Sequence, residues 1–142
     1  MQMMTWFLVE EEEEAEEIAS IVTTEEYAPE DWTYLESPLI TLELMALFAA
    51  LRGTEDVVGQ EVLEKPLVEE EGLLVARVAD PFIQALARVS DDKLPAATEA
   101  WIQRLDQEHH EPEYLRELLA ELACFSREAV ARQCPVLVLT TF

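Results

Sequence analysis

Hydrophobic and polar positions along the chain fall into short stretches of two different periods. Residues 5–9, Thr-Trp-Phe-Leu-Val, concentrate aromatic and β-branched side chains and predict a first strand. Over residues 10–23 the period lengthens. Ala15, Ile18 and Val22 recur at i, i+3 and i+7, the narrow apolar stripe of a first helix. Residues 27–34 show neither period and contain Pro29, which disfavours helix at the residue before it, so they predict a loop anchored by Trp32 and Tyr34. Ser37-Pro38 supplies a helix start, a capping hydroxyl followed by proline in the first position, and Gly53 supplies a stop. Between them residues 39–51 are apolar on nearly every side, with Glu43 the only charge, which predicts a helix enclosed by protein.

Residues 62–68 and 73–78 flank Glu69-Glu70-Glu71-Gly72, the spacing of a β-hairpin with glycine in its turn. Pro66 cannot donate to a ladder and so places its strand at a sheet edge. Asp80-Pro81 repeats the cap-plus-proline signal before a helix carried by Phe82, Ile83, Leu86 and Val89. Ser90 is expected to cap another helix from Asp91 to about Leu105, with Pro95 tolerated near its start. Pro112 opens the longest helix, to about Gln133, on the stripe Leu115, Leu118, Leu119, Leu122, Phe125, Ala129 and Val130, and Pro135 ends it. Residues 136–142 form an apolar strand that is expected to be buried in a sheet. The order predicts an α+β fold: a small mixed sheet of about four strands (N-terminal strand, central hairpin, C-terminal strand) packed with about five helices. Without an internal repeat or a long linker, residues 1–142 read as one domain.

Charge changes this picture more than size does. At 142 residues the chain can bury roughly 68–70% of its unfolded surface, enough for a core without staples. Cys124 and Cys134 lack C-x-x-C spacing and follow no secretory signal, so they are expected to be reduced thiols packed as small apolar groups, with a disulfide where the last helix hands over to the last strand as the alternative. No apolar run approaches the roughly 18 residues that span a bilayer, which predicts a soluble protein of the bacterial cytoplasm. The formal net charge of −22 is polarised: residues 1–71 carry 20 acids against Arg52 and Lys65, whereas residues 72–142 carry 11 against seven bases. Phosphates need Lys and Arg to neutralise them, so nucleic acid and anionic membranes are poor partners. A cationic protein or a divalent cation is attracted instead.

Glu10, Glu11, Glu12, Glu13 and Glu14, followed by Glu16 and Glu17, are the loudest local feature. In one continuous helix they make seven like-charge pairs at spacings of three or four, each costing about 0.2–0.5 kcal/mol. Docking of the apolar stripe has to offset that cost. The run is a candidate partner-binding surface, with Trp32 and Tyr34 as aromatic contacts beside it. His109, His110 and Glu113, in a stretch that also holds Asp106, Glu108 and Glu111, are candidate ligands for a divalent transition metal, because imidazole and carboxylate together suit Zn, Fe or Ni. There is no G-x-S-x-G elbow, no local cysteine–base pattern and no cluster of glycines for phosphate, so no catalytic residue and no cofactor is assigned.

Ser90, Asp91, Asp92 and Leu94 ahead of Trp101, then Leu115, Leu119 and Leu122, then the strand at 136–139, give the second half of the chain its resemblance to a group of small uncharacterised bacterial proteins of similar length. Thr41-Leu42-Glu43 adds a fainter echo. The resemblance implies shared architecture and no activity. The Glu run and the His109-His110 pair depart from that group's pattern. The expectation is therefore a non-catalytic acidic interaction protein that binds a cationic protein, comparable in charge and size to inhibitor and immunity proteins. The alternatives are a metal-assisted enzyme or metal-binding protein built on His109 and His110, and a homodimer joined through the C-terminal strand.

Overall fold

A strand at the centre of a sheet must be apolar on both faces. Residues 136–139 meet that demand, all of them apolar and buried. In the computed structural model of the protein, which describes residues 3–24, 33–37, 41–53, 59, 63–105 and 111–141, this segment is the middle strand of five. The strands are β1 (Met3–Leu8), β2 (Thr33–Ser37), β3 (Glu64–Glu70), β4 (Leu73–Val78) and β5 (Val136–Thr141), in the order β2-β1-β5-β4-β3. Every neighbouring pair is antiparallel. The sheet is thus larger than expected by one strand, and antiparallel where a mixed sheet was expected. Its position also corrects the dimer expectation: β5 pairs with β1 on one side and β4 on the other, leaving it no free edge for a second copy.

Register sorts the side chains onto two faces. Trp6 lies opposite Leu35 and Val138, and Val138 lies opposite Ala76. This face, with Met4, Leu8, Val78 and Val136, packs against the helices α2 (Thr41–Arg52), α3 (Asp80–Ala87), α4 (Leu94–Gln103) and α5 (Pro112–Arg132). Phe48 and Phe82 stack at 4.9 Å, and Trp6 meets Phe82 and Phe125 edge-on at 6.2 and 6.4 Å. The Trp101 indole N–H donates to the Glu43 carbonyl at 3.0 Å, tying α4 to α2. On the opposite face Phe7, Leu73, Val75, Leu137 and Leu139 receive Ala15, Ile18 and Ala19 of α1 (Ala15–Thr24). Complete burial of Ile18 contributes about 1.5–3 kcal/mol, enough to hold a helix whose outer side is carboxylate.

Local departures from the expected elements have local causes. Tyr34 belongs to β2 rather than to a loop, and Ser37 ends that strand instead of capping α2, which begins at Thr41. The alternation that makes β2 is only Tyr34 out, Leu35 in, Glu36 out, too short to stand above its flanks. α1 starts at Ala15, after a 3-10 turn over Glu12–Glu14. Asp80 is the first residue of α3, whose cap is Ala79, and α4 starts at Leu94 after a turn over residues 91–93. α2 is enclosed around its middle, where the consecutive residues Ala46, Leu47, Phe48 and Ala49 are all buried, and meets solvent near its ends, at Leu42 (52% exposed) and Arg52. Val130, placed by its spacing in the buried stripe of α5, is 47% exposed. α5 ends three residues before Pro135 in a Schellman arrangement. Gln133 takes the left-handed conformation (φ 56°) and donates to the Val130 carbonyl, while the Cys134 N–H donates to Ala129. The hairpin follows its expectation: Gly72 (φ 81°) occupies the turn, and β3 is an edge strand whose register shifts between Pro66 and Val68.

Three buried polar atoms, Trp6 Nε1, Ser126 Oγ and Thr140 Oγ1, have no hydrogen-bond partner among the described residues. A buried hydroxyl without a partner costs about 1–3 kcal/mol, and an apolar group of the same shape removes that cost. Thr140→Val is accordingly expected to leave thermal stability unchanged or to raise it. A fall of more than about 1 kcal/mol in denaturant unfolding would show the hydroxyl to be bonded instead.

Candidate functional site

With the inner face of α1 spent on the sheet, Glu16, Glu17 and Ser20 on its other side turn outward. Glu11, Glu13, Glu16 and Glu17 are exposed, as is Glu10 just ahead of them. The charge repulsion expected of one continuous helix is partly avoided, because the chain turns before α1 begins. Glu14 folds back so that its Oε2 accepts the backbone N–H groups of Glu10 (2.6 Å) and Glu11 (3.0 Å). One carboxylate of the run therefore closes the turn, and its neighbours stay free to face outward.

Other acids join this side of the sheet. Glu70 pairs in register with Leu73, and Glu36 with Thr5, which puts both on the face that carries α1. Tyr34 shares that face opposite Phe7, its ring 6.4 Å from the Phe7 ring and 41% exposed. The sheet's own described basic residues there are Lys65 and Arg77, which lie opposite each other. The helical layer on the far face is mixed. It holds Arg88, Lys93, Arg104, Arg116, Arg127 and Arg132 among its acids, with Arg132 3.3 Å from Glu128. Polarity along the sequence has become polarity across the sheet.

A cleft of about 420 Å³ opens where β1 and β4 end and β5 begins. The Val9 N–H donates to the Pro135 carbonyl there, at 3.2 Å, holding the two chain segments together. Glu10, Arg77, Asp80, Gln84, Gln133 and Cys134 bring polar groups to the cleft, and Val130 and Pro135 give it apolar wall. Arg77 Nη2 lies 3.2 and 3.3 Å from the two carboxylate oxygens of Asp80. Among the described residues nothing pairs with the Glu10 carboxylate. The cleft therefore has a negative balance. It draws on β1's exit, β4, α3 and the end of α5, so no local motif announces it.

The remaining candidates divide. Trp32, His109 and His110 lie outside the described residues. Glu113 is exposed in the first turn of α5, and no grouping of three metal-binding side chains occurs among the described residues. Cys124 is exposed on α5 and Cys134 is half-buried at the cleft, both as free thiols, so neither is the fully packed apolar group expected. The side chain of Glu12 is outside the described set. No described helix is long and apolar enough to cross a membrane. No family model matches the chain, and comparison with curated proteins and with solved structures returns no similar protein.

Proposed function

We propose that this is a non-catalytic interaction protein of the cytoplasm that binds a cationic protein partner through the acidic side of its sheet, in the manner of an inhibitor or immunity protein. The supporting observation is the exposure of Glu16 and Glu17 on α1, whose opposite stripe, Ala15, Ile18 and Ala19, is buried, and of Glu11 and Glu13 on the turn that leads into it. Such a helix is anchored by its apolar side and offers its carboxylates as a fixed array. Tyr34 adds an aromatic contact of the kind enriched at interfaces. Exposed charges steer encounter with a cationic surface, and salt screens that attraction within about 8 Å at physiological ionic strength.

The test is binding of a fluorescent oligoarginine peptide to the full chain at rising salt. Affinity is expected to fall steeply as salt increases. Glu13→Gln, Glu16→Gln and Glu17→Gln combined should weaken binding at low salt by roughly three- to a hundredfold, at the usual worth of exposed ion pairs. Removing the same number of charges from α5 with Glu117→Gln, Glu121→Gln and Glu128→Gln should change it far less. Affinity that ignores salt, or equal losses in the two triple variants, would defeat the proposal.

A further inference from the structure

We infer that the cleft between the end of β4, α3 and the end of α5 seats one arginine side chain of the cationic partner, an anchor beside the broader acidic face. The inference rests on the cationic-partner reading and adds to it a specific pocket. Charge is its first support. Arg77 spends its Nη2 on both oxygens of Asp80, and the cleft's second carboxylate, on Glu10, pairs with no described residue. A cation entering the cleft therefore meets an uncompensated carboxylate at Glu10 and a second, half-shared one at Asp80.

Shape and lining narrow the choice of cation. Arginine and lysine lay their methylene stems along apolar surface and keep the charged head among polar groups. Val130, 47% exposed despite its place in a helix that buries much of its apolar stripe, and Pro135 offer such a wall. Gln84 and Gln133 also line the cleft, and a side-chain amide oxygen is an acceptor that can serve a cation alongside the carboxylates. A planar guanidinium with five donors can use several separated acceptors at once, which a compact ammonium does less well. Gln133 holds its side chain at the cleft from a left-handed backbone position where glycine is the commoner residue. The cleft also continues into the acidic face, because Glu10 both lines it and begins the Glu run.

The two free thiols provide a positional readout, since Cys134 lines the cleft and Cys124 lies elsewhere on α5. The full chain is treated with iodoacetamide with and without oligoarginine at low salt, and modification of each cysteine is followed by peptide mass spectrometry. With peptide at about ten times its Kd, Cys134 should react up to about tenfold more slowly while Cys124 keeps its rate. Glu10→Gln with Asp80→Asn should abolish that protection, and oligolysine should protect less than oligoarginine at equal occupancy. If oligoarginine binds but the ratio of the two rates does not move, or if the double variant stays protected, the cleft is not the seat and the acidic-face reading survives alone. If oligoarginine does not bind at all, both fall.

Discussion

Phe82→Ala is expected to destabilise the protein by about 3–5 kcal/mol, the usual cost of removing a buried aromatic ring. Phe82 is fully buried in the first turn of α3 and touches two other elements of the core. Its ring stacks on Phe48 of α2 at 4.9 Å with planes 28° apart, and meets Trp6 of β1 edge-on at 6.2 Å. Alanine removes both contacts and leaves a void that three separate elements would have to move to fill, and interiors relax only partly. For a chain of this length the loss corresponds to a fall in Tm of roughly 6–20 °C. Urea unfolding of wild type and variant measures it directly, and a loss under about 1 kcal/mol would mean that the ring is not shared among the elements.

Val138→Pro should be more damaging still. Val138 is paired with Trp6 on one side and Ala76 on the other, so a proline there deletes a ladder donor at the centre of the sheet and leaves its acceptor buried and unpaired. The lost bond and the displaced side chain together exceed about 3 kcal/mol, and the variant is expected to lose cooperative unfolding. Pro66 is the natural control. It sits on the edge strand β3, beside the register shift between Pro66 and Val68, where a missing donor can face outward. Pro66→Val should stay within about 1 kcal/mol of wild type. Circular dichroism through a thermal ramp separates the two cases, and a cooperative Val138→Pro variant would contradict the central position of β5.

Legibility in the sequence followed the length of each periodic segment. α5 is written over 21 residues with leucines on one face, and both its start at Pro112 and its approximate end could be read from the sequence. The hairpin was legible through Gly72 and Pro66, each of which has a narrow set of allowed roles. β2 was not, because five residues with one partly buried Leu35 resemble any polar connection. Val130 misled for a different reason. It satisfies the spacing of the stripe, yet it falls in the last turns of α5, where the cleft leaves that side uncovered. The acidic surface could be anticipated from Glu10 to Glu17, but the role of Glu14 could not. Its carboxylate closes a turn, and only the backbone path shows that two N–H groups converge on it. The cleft left no trace because Glu10, Arg77, Asp80 and Gln133 are spread across most of the chain and meet only through the β1–β5–β4 ladders.

Those ladders also govern how the chain must fold. β1 and β5 come from opposite ends of the described sequence, with Met3 opposite Thr141, so closing that pair means closing a loop through nearly all the intervening chain. Contacts of such separation form slowly, since loop entropy is lost before they yield any stabilisation. Until β5 arrives, β1 and β4 each present an unpaired edge, the kind of template on which chains of the same sequence pair wrongly. A net charge of −22 opposes that encounter, because two such chains repel before their edges can meet. The acidity on which the proposed cationic-partner reading rests thus also keeps unfinished copies apart during the slow step.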